Sequence, residues 1–142
     1  MDIYRRNFDR LVKIGIINDK GELQFEEALK LKSSGFMDLN LDYLEKDEQG
    51  QVIAMAHNYI QNGDVMADPD MQIRIIPEMH SIEALTFQMD NPPIFQQVYP
   101  EKNTVNVRLK KELNSFLEMW LTNIISQRFK HEPEKAVCGA AV

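Results

Sequence analysis

The segment His57 to Arg74, HNYIQNGDVMADPDMQIR, places one histidine and three aspartates, Asp64, Asp68 and Asp70, around an Asn62-Gly63 pair. Carboxylates two and four residues apart, with an imidazole nearby, are the donors that a hard cation such as Mg²⁺ or Mn²⁺ takes, and the same groups can act as general bases. This predicts a metal or ligand site at His57, Asp64, Asp68 and Asp70, and with it a metal-assisted hydrolase or nucleotide-handling enzyme. A plainer reading uses the same residues as punctuation. Asn62-Gly63 makes the turn, Asp64 accepts backbone N–H groups, and Asp68-Pro69-Asp70 starts a second turn before the next strand. The plainer reading is preferred, because the spacing matches no established metal loop.

A second group of chemistry-bearing residues is basic. Arg108, Lys110 and Lys111 stand at the head of a C-terminal helix, where they oppose the helix dipole unless an anion or an acidic partner compensates. They are the predicted anion-binding residues. No phosphate-binding glycine loop, nucleophile elbow or paired-cysteine motif occurs. One cysteine, Cys138, and three histidines leave too few ligands for a structural zinc site. His80 has no evident partner and reads as a surface residue at a strand start.

The elements that carry these residues read as α+β. The alternation of Leu39, Leu41 and Tyr43 with polar residues makes one strand, Val52 to Ile60 a second, and Met71, Ile73 and Ile75 a third. Glu83, Leu85, Phe87 and Met89 alternate in a fourth, closed by Asn91-Pro92-Pro93. Phe25 to Lys32 is read as a strand on the alternation of Leu29 and Leu31 with lysines, and Ile94 to Tyr99 as a further edge strand. Connections are too short for helical crossovers, so the sheet is expected to be an antiparallel meander of about five strands. Ile3 to Ile14 is a helix with Asp2 as its cap and Gly15 as its stop. Leu109, Leu113, Phe116, Leu117, Trp120, Leu121, Ile124 and Ile125 form the apolar stripe of a long C-terminal helix on which the sheet packs.

The chain of 142 residues, 44% hydrophobic, has the length of one domain. That domain is expected over 1–131, with 132–142 a disordered tail. No run of about 18 apolar residues exists and the start, MDIYRRNFDR, lacks a signal-peptide pattern, so no membrane association and a cytoplasmic address are expected. The formal net charge is −6, which argues against sequence-independent DNA binding. Eight acids and a single base lie between Met37 and Asp70. Arg5, Arg6, Arg10 and Lys13 crowd the first helix, so basic helix ends either face this acidic region or form solvated surfaces.

Taken together, AHNYIQNGDVMADPDMQIRI, EALTFQ and FQQVYPEKNTVNVRLKKELNSFLEMWL resemble a bacterial family of unknown function that includes the YqiB-like proteins. The resemblance runs from about Phe36 to Phe129, although the YqiB branch lacks the QNGD turn. It implies a bacterial cytoplasmic protein with a compact α+β domain, and supplies no activity or catalytic residues. The function expected is therefore binding or assembly, with a homodimer or a protein partner, rather than catalysis. The metal-assisted enzyme is the alternative, and a nucleic-acid accessory role through Arg5, Arg6, Arg10 and the head of the last helix is a third.

Overall fold

A computed structural model describes residues 2–131. The expected tail 132–142, including Cys138, lies outside the described residues. Helix α1, Ile3–Ile14, begins where Asp2 accepts the Arg5 N–H and ends at Gly15, whose φ of 96° closes the helix in the left-handed region. Seven strands follow among the described residues: β1 Ala28–Lys32, β2 Leu39–Lys46, β3 Gln51–Gln61, β4 Asp64–Ile76, β5 Ser81–Asp90, β6 Pro93–Gln97 and β7 Lys130–His131. Helix α2, Val107–Ser126, lies between β6 and β7 and is capped by the Asn106 side chain on the Leu109 N–H.

The sheet order is β6-β5-β4-β3-β2-β1-β7, antiparallel at every pairing. The meander is as expected, but the sheet is larger than five strands. Ile94 to Tyr99 does contain an edge strand, and β7 has only two residues, too few to leave a periodic signal. β4 also begins seven residues earlier than Met71.

One sheet face is apolar and faces the helices. Leu29 and Leu31, Leu39 and Leu41, Ile53 and Met55, Met71, Ile73 and Ile75, and Ile82 and Ala84 form it across five strands, pairing in register. Each large side chain buried here stabilises the fold by about 1.5 to 3 kcal/mol. The alternation expected for β5 is out of phase at its start. Gln72 pairs with Thr86 but Ile73 pairs with Ala84, so Leu85 is the extra residue of a bulge. That bulge brings Ile82 and Ala84 onto the core face and frees Glu83 for the other.

α2 crosses this face, setting Phe116 edge-on to Phe87 of β5 and Trp120 against His57 of β3, with ring centroids 5.2 and 5.4 Å apart. α1 is tied to α2 by Glu118, which accepts from Arg6 Nε at 2.8 Å and from an Arg10 amino group at 2.9 Å. These two arginines of α1 thus pair with a helix rather than with the acidic sheet region. The junction between α1 and the sheet is closed by His80, whose ring lies tilted against Phe8 with centroids 3.9 Å apart and whose Nε2 lies 2.7 Å from Asp9 Oδ1. His80 therefore has a partner that local sequence does not reveal.

Candidate functional site

The residues singled out in the sequence do not gather into one site. Asn62 and Gly63, with φ of 52° and 85°, form the two-residue hairpin between β3 and β4, as their types require. Beyond it Asp64, Asp68 and Asp70 lie within β4 rather than on a loop. No second turn forms, because β4 absorbs Asp68 and Pro69 in a bulge: Ala67 pairs with Asn58, and Asp70 with Ala56. Asp64 is exposed beside the hairpin turn. Asp68 contributes to the field at His57, whereas the field at Asp70 comes from Asp42 and Asp90.

His57 itself packs between Trp120 and Phe129, with Nδ1 3.3 Å from the Asp38 carbonyl oxygen. Burial holds its pKa below the usual histidine value, against the pull of the Asp38 and Met37 carbonyls and the Asp68 carboxylate. Its setting is that of a neutral core-edge ring. Among the described residues no three His, Cys, Asp or Glu side chains are grouped to hold a metal ion.

The basic triad also disperses. Arg108 is almost fully exposed and reaches Glu112 one turn along, at 3.3 Å, and Lys111 is exposed. Lys110 turns toward the protein and approaches a cluster of polar and aromatic side chains. There an open cleft of about 1020 Å³ is lined by the β2–β3 turn, β4, the turn that follows it, β5, the segment after β6, and the first turns of both helices.

At its centre is Glu83, only 7% exposed. Its Oε2 accepts from an Arg74 amino group at 2.9 Å, and its Oε1 accepts from the Tyr99 hydroxyl at 2.6 Å. Arg74, the cross-strand partner of Glu83, also donates Nε to Asp47 Oδ2 at 2.8 Å. Lys110 Nζ lies 4.0 Å from Glu83 Oε1, and 5.6 and 5.8 Å from the ring centres of Tyr4 and Tyr99. Those distances are within the range of cation–π attraction. Ile76 and Met79 supply apolar wall.

The electrostatics follow from this packing. Burial, then the hydrogen bond to Glu83 and its charge, push the Tyr99 hydroxyl well above the usual phenol range. Burial and the charges of Glu83 and Asp2 push Tyr4 up as well. Burial opposes ionisation of Asp47, but its hydrogen bonds from Arg74, Gly50 and Gln49 outweigh that and hold the carboxyl below its usual range. The cleft thus presents two neutral phenols at neutral pH. Among the described residues no histidine or cysteine lines it, and its one serine, Ser81, donates its hydroxyl to the Met79 carbonyl at 2.9 Å. The serine hydroxyl of the cleft is therefore bonded to a backbone carbonyl and not to a carboxylate.

Glu83, Arg74, Tyr4 and Tyr99 escape local sequence reading because they come from distant segments and each is ordinary where it stands. Lys110, one of the predicted anion-binding residues, is the member of this polar set that the sequence singles out.

The family described as "Domain of unknown function (DUF6908)" matches residues 7–130. The match makes no link to the YqiB-like proteins or to bacteria. No curated protein and no solved structure matches the chain.

Proposed function

The chain belongs to the DUF6908 family, whose function is unknown, and on that premise we propose that it is a non-catalytic binding module whose ligand site is the Glu83 cleft. The observation that carries this reading is the buried Glu83 carboxylate at the floor of an open cleft, held by Arg74 and Tyr99 and approached by Lys110. Ligand sites typically combine apolar wall with a few convergent, pre-positioned polar groups. A polar set held rigid by its own internal bonds costs little further ordering when a ligand arrives.

The test is a thermal-shift panel of organic amines, inorganic phosphate, mononucleotides and divalent metal salts, run on the wild type and on Gln49→Trp. Gln49 is exposed on the rim, so an indole there fills the cleft without disturbing the core. A ligand that binds only the folded chain raises its melting temperature. The expected result is a stabilising compound whose effect Gln49→Trp removes. A flat panel, or a shift that Gln49→Trp leaves intact, sinks the reading.

Assembly with a second copy or another protein is the second reading. It is favoured by β6, an edge strand exposed at all five residues that carries Ile94 and Phe95, at 40% and 58% exposure. Such edges add strands from partners. A monomer by light scattering at high micromolar concentration would remove the homodimer form of this reading. Among the described residues no helix is long and apolar enough to cross a membrane.

A further inference from the structure

We propose that the cleft recognises an organic ammonium group, seated on the rings of Tyr4 and Tyr99 against Glu83, and that Lys110 fills that seat with its own ammonium when no ligand is bound. The inference rests on the binding-module reading and gives the chemistry of its ligand. Lys110 Nζ is within 6 Å of both ring centres and 4.0 Å from the carboxylate. Two aromatic faces and one buried anion around a single cation form the arrangement by which ammonium ligands are held. Here the cation comes from the chain itself.

Charge favours a cation over an anion. Five carboxylates and three cationic side chains line the cleft, so it carries two negative charges in excess. Arg74, the residue best suited to bind an anion, already spends its Nε on Asp47 and one amino group on Glu83. Lys110 is the most readily displaced member. Its side chain is 34% exposed and ends a flexible stem, whereas Glu83 is held by two short hydrogen bonds. An incoming ammonium can take its place while the lysine swings into water, so no net charge is buried.

Isothermal titration of tetramethylammonium chloride, at matched ionic strength, into the wild type, Lys110→Ala, Lys110→Ala/Tyr99→Leu and Lys110→Ala/Tyr4→Leu tests this, with circular dichroism to confirm that each variant folds. Removing the internal competitor is expected to tighten binding about tenfold or more, and removing either ring to abolish the gain. Two ring variants are used so that failure of one to fold leaves the other as the test. No gain in Lys110→Ala, or a gain that survives loss of a ring, overturns the proposal. Inorganic phosphate binding to the wild type and lost in Lys110→Ala would overturn it in favour of an anion site while leaving the cleft as a ligand site. If tetramethylammonium fails but another compound of the panel acts in a manner sensitive to Gln49→Trp, only the ammonium assignment falls; if nothing does, the binding-module reading falls with it.

Discussion

The side-chain oxygen of Asn114 accepts the backbone N–H of Ala84 at 2.9 Å, so helix α2 supplies to β5 the hydrogen bond that a strand would otherwise make. β6 covers β5 only from Thr86 onward, with Val98 N–H reaching the Leu85 carbonyl, and leaves the first half of β5 as an open edge. Asn114 also donates to the Lys110 carbonyl, and its own carbonyl accepts from Asn7 of α1. Both asparagines are essentially fully buried, at 1% and 0% exposure. This polar bridge holds the helices at the height where Tyr4 and Lys110 meet Glu83, and so links the fold to the cleft.

Asn114→Ala leaves the Ala84 N–H buried without an acceptor, which costs about 1 to 3 kcal/mol. Urea unfolding is expected to show that loss, and the Ala84 amide to exchange with solvent much faster than in the wild type. Asn114→Asp keeps an acceptor and is expected to retain most of the amide protection. An Ala84 amide equally protected in Asn114→Ala would show that the bond is incidental.

Two turn glycines separate backbone conformation from steric contact. Gly63 has φ of 85° and open space, with nothing within 4 Å of where an alanine methyl would sit, so Gly63→Ala meets only the left-handed penalty, about 1 kcal/mol. Gly50 has no such φ, but a Cβ there would lie 1.8 Å from the Ile75 carbonyl oxygen. Because backbone cannot step aside, Gly50→Ala is expected to cost about 3 kcal/mol or more and to distort the Asp47 contact with Arg74. Equal melting temperatures for the two variants would contradict this ranking.

The same contrast between local and distant causes explains what was legible in the sequence. Asp2 and Gly15 bounding α1, the Asn62-Gly63 hairpin and the stripe of α2 are local signals, and each appears where residue type alone requires it. The aspartates of β4 misled because Asp and Pro favour turns in isolation, while here the length of β3 continues the pairing past them through a bulge. Glu83 was concealed by a different bulge, at Leu85, that shifts the phase of β5. Its neighbours Tyr4, Arg74 and Tyr99 come from segments that only the tertiary fold unites.

His57 gives the chain an acid-side sensitivity. Its folded pKa lies below the unfolded value of 6.5, so the folded state binds fewer protons than the unfolded one across that interval. The associated stability is fully present above about pH 6.5 and is lost as pH falls through that value toward the folded pKa. His57→Gln is expected to flatten this part of the wild-type profile. Parallel urea midpoints for the two proteins from about pH 7.5 to about pH 5.5 would place the sensitivity elsewhere.

Asp70 acts with the opposite sign. Burial, with the nearby charges of Asp42 and Asp90, raises its folded pKa above the ordinary 3.8, so the folded state holds this proton more firmly than the unfolded state does. The cost is absent below the unfolded pKa, grows as pH rises through the interval, and is complete above the folded pKa. Asp70→Asn removes that cost while keeping the side chain's size, and is expected to raise the melting temperature by a few degrees at about pH 7 and to give no gain near pH 3. Added Mg²⁺ or Mn²⁺ provides a second check on the same residue. If Asp70 serves a cation, the metal stabilises the wild type and the asparagine variant loses that effect; if its carboxylate is only a strained acid on the open sheet face, the variant is the more stable protein with metal or without.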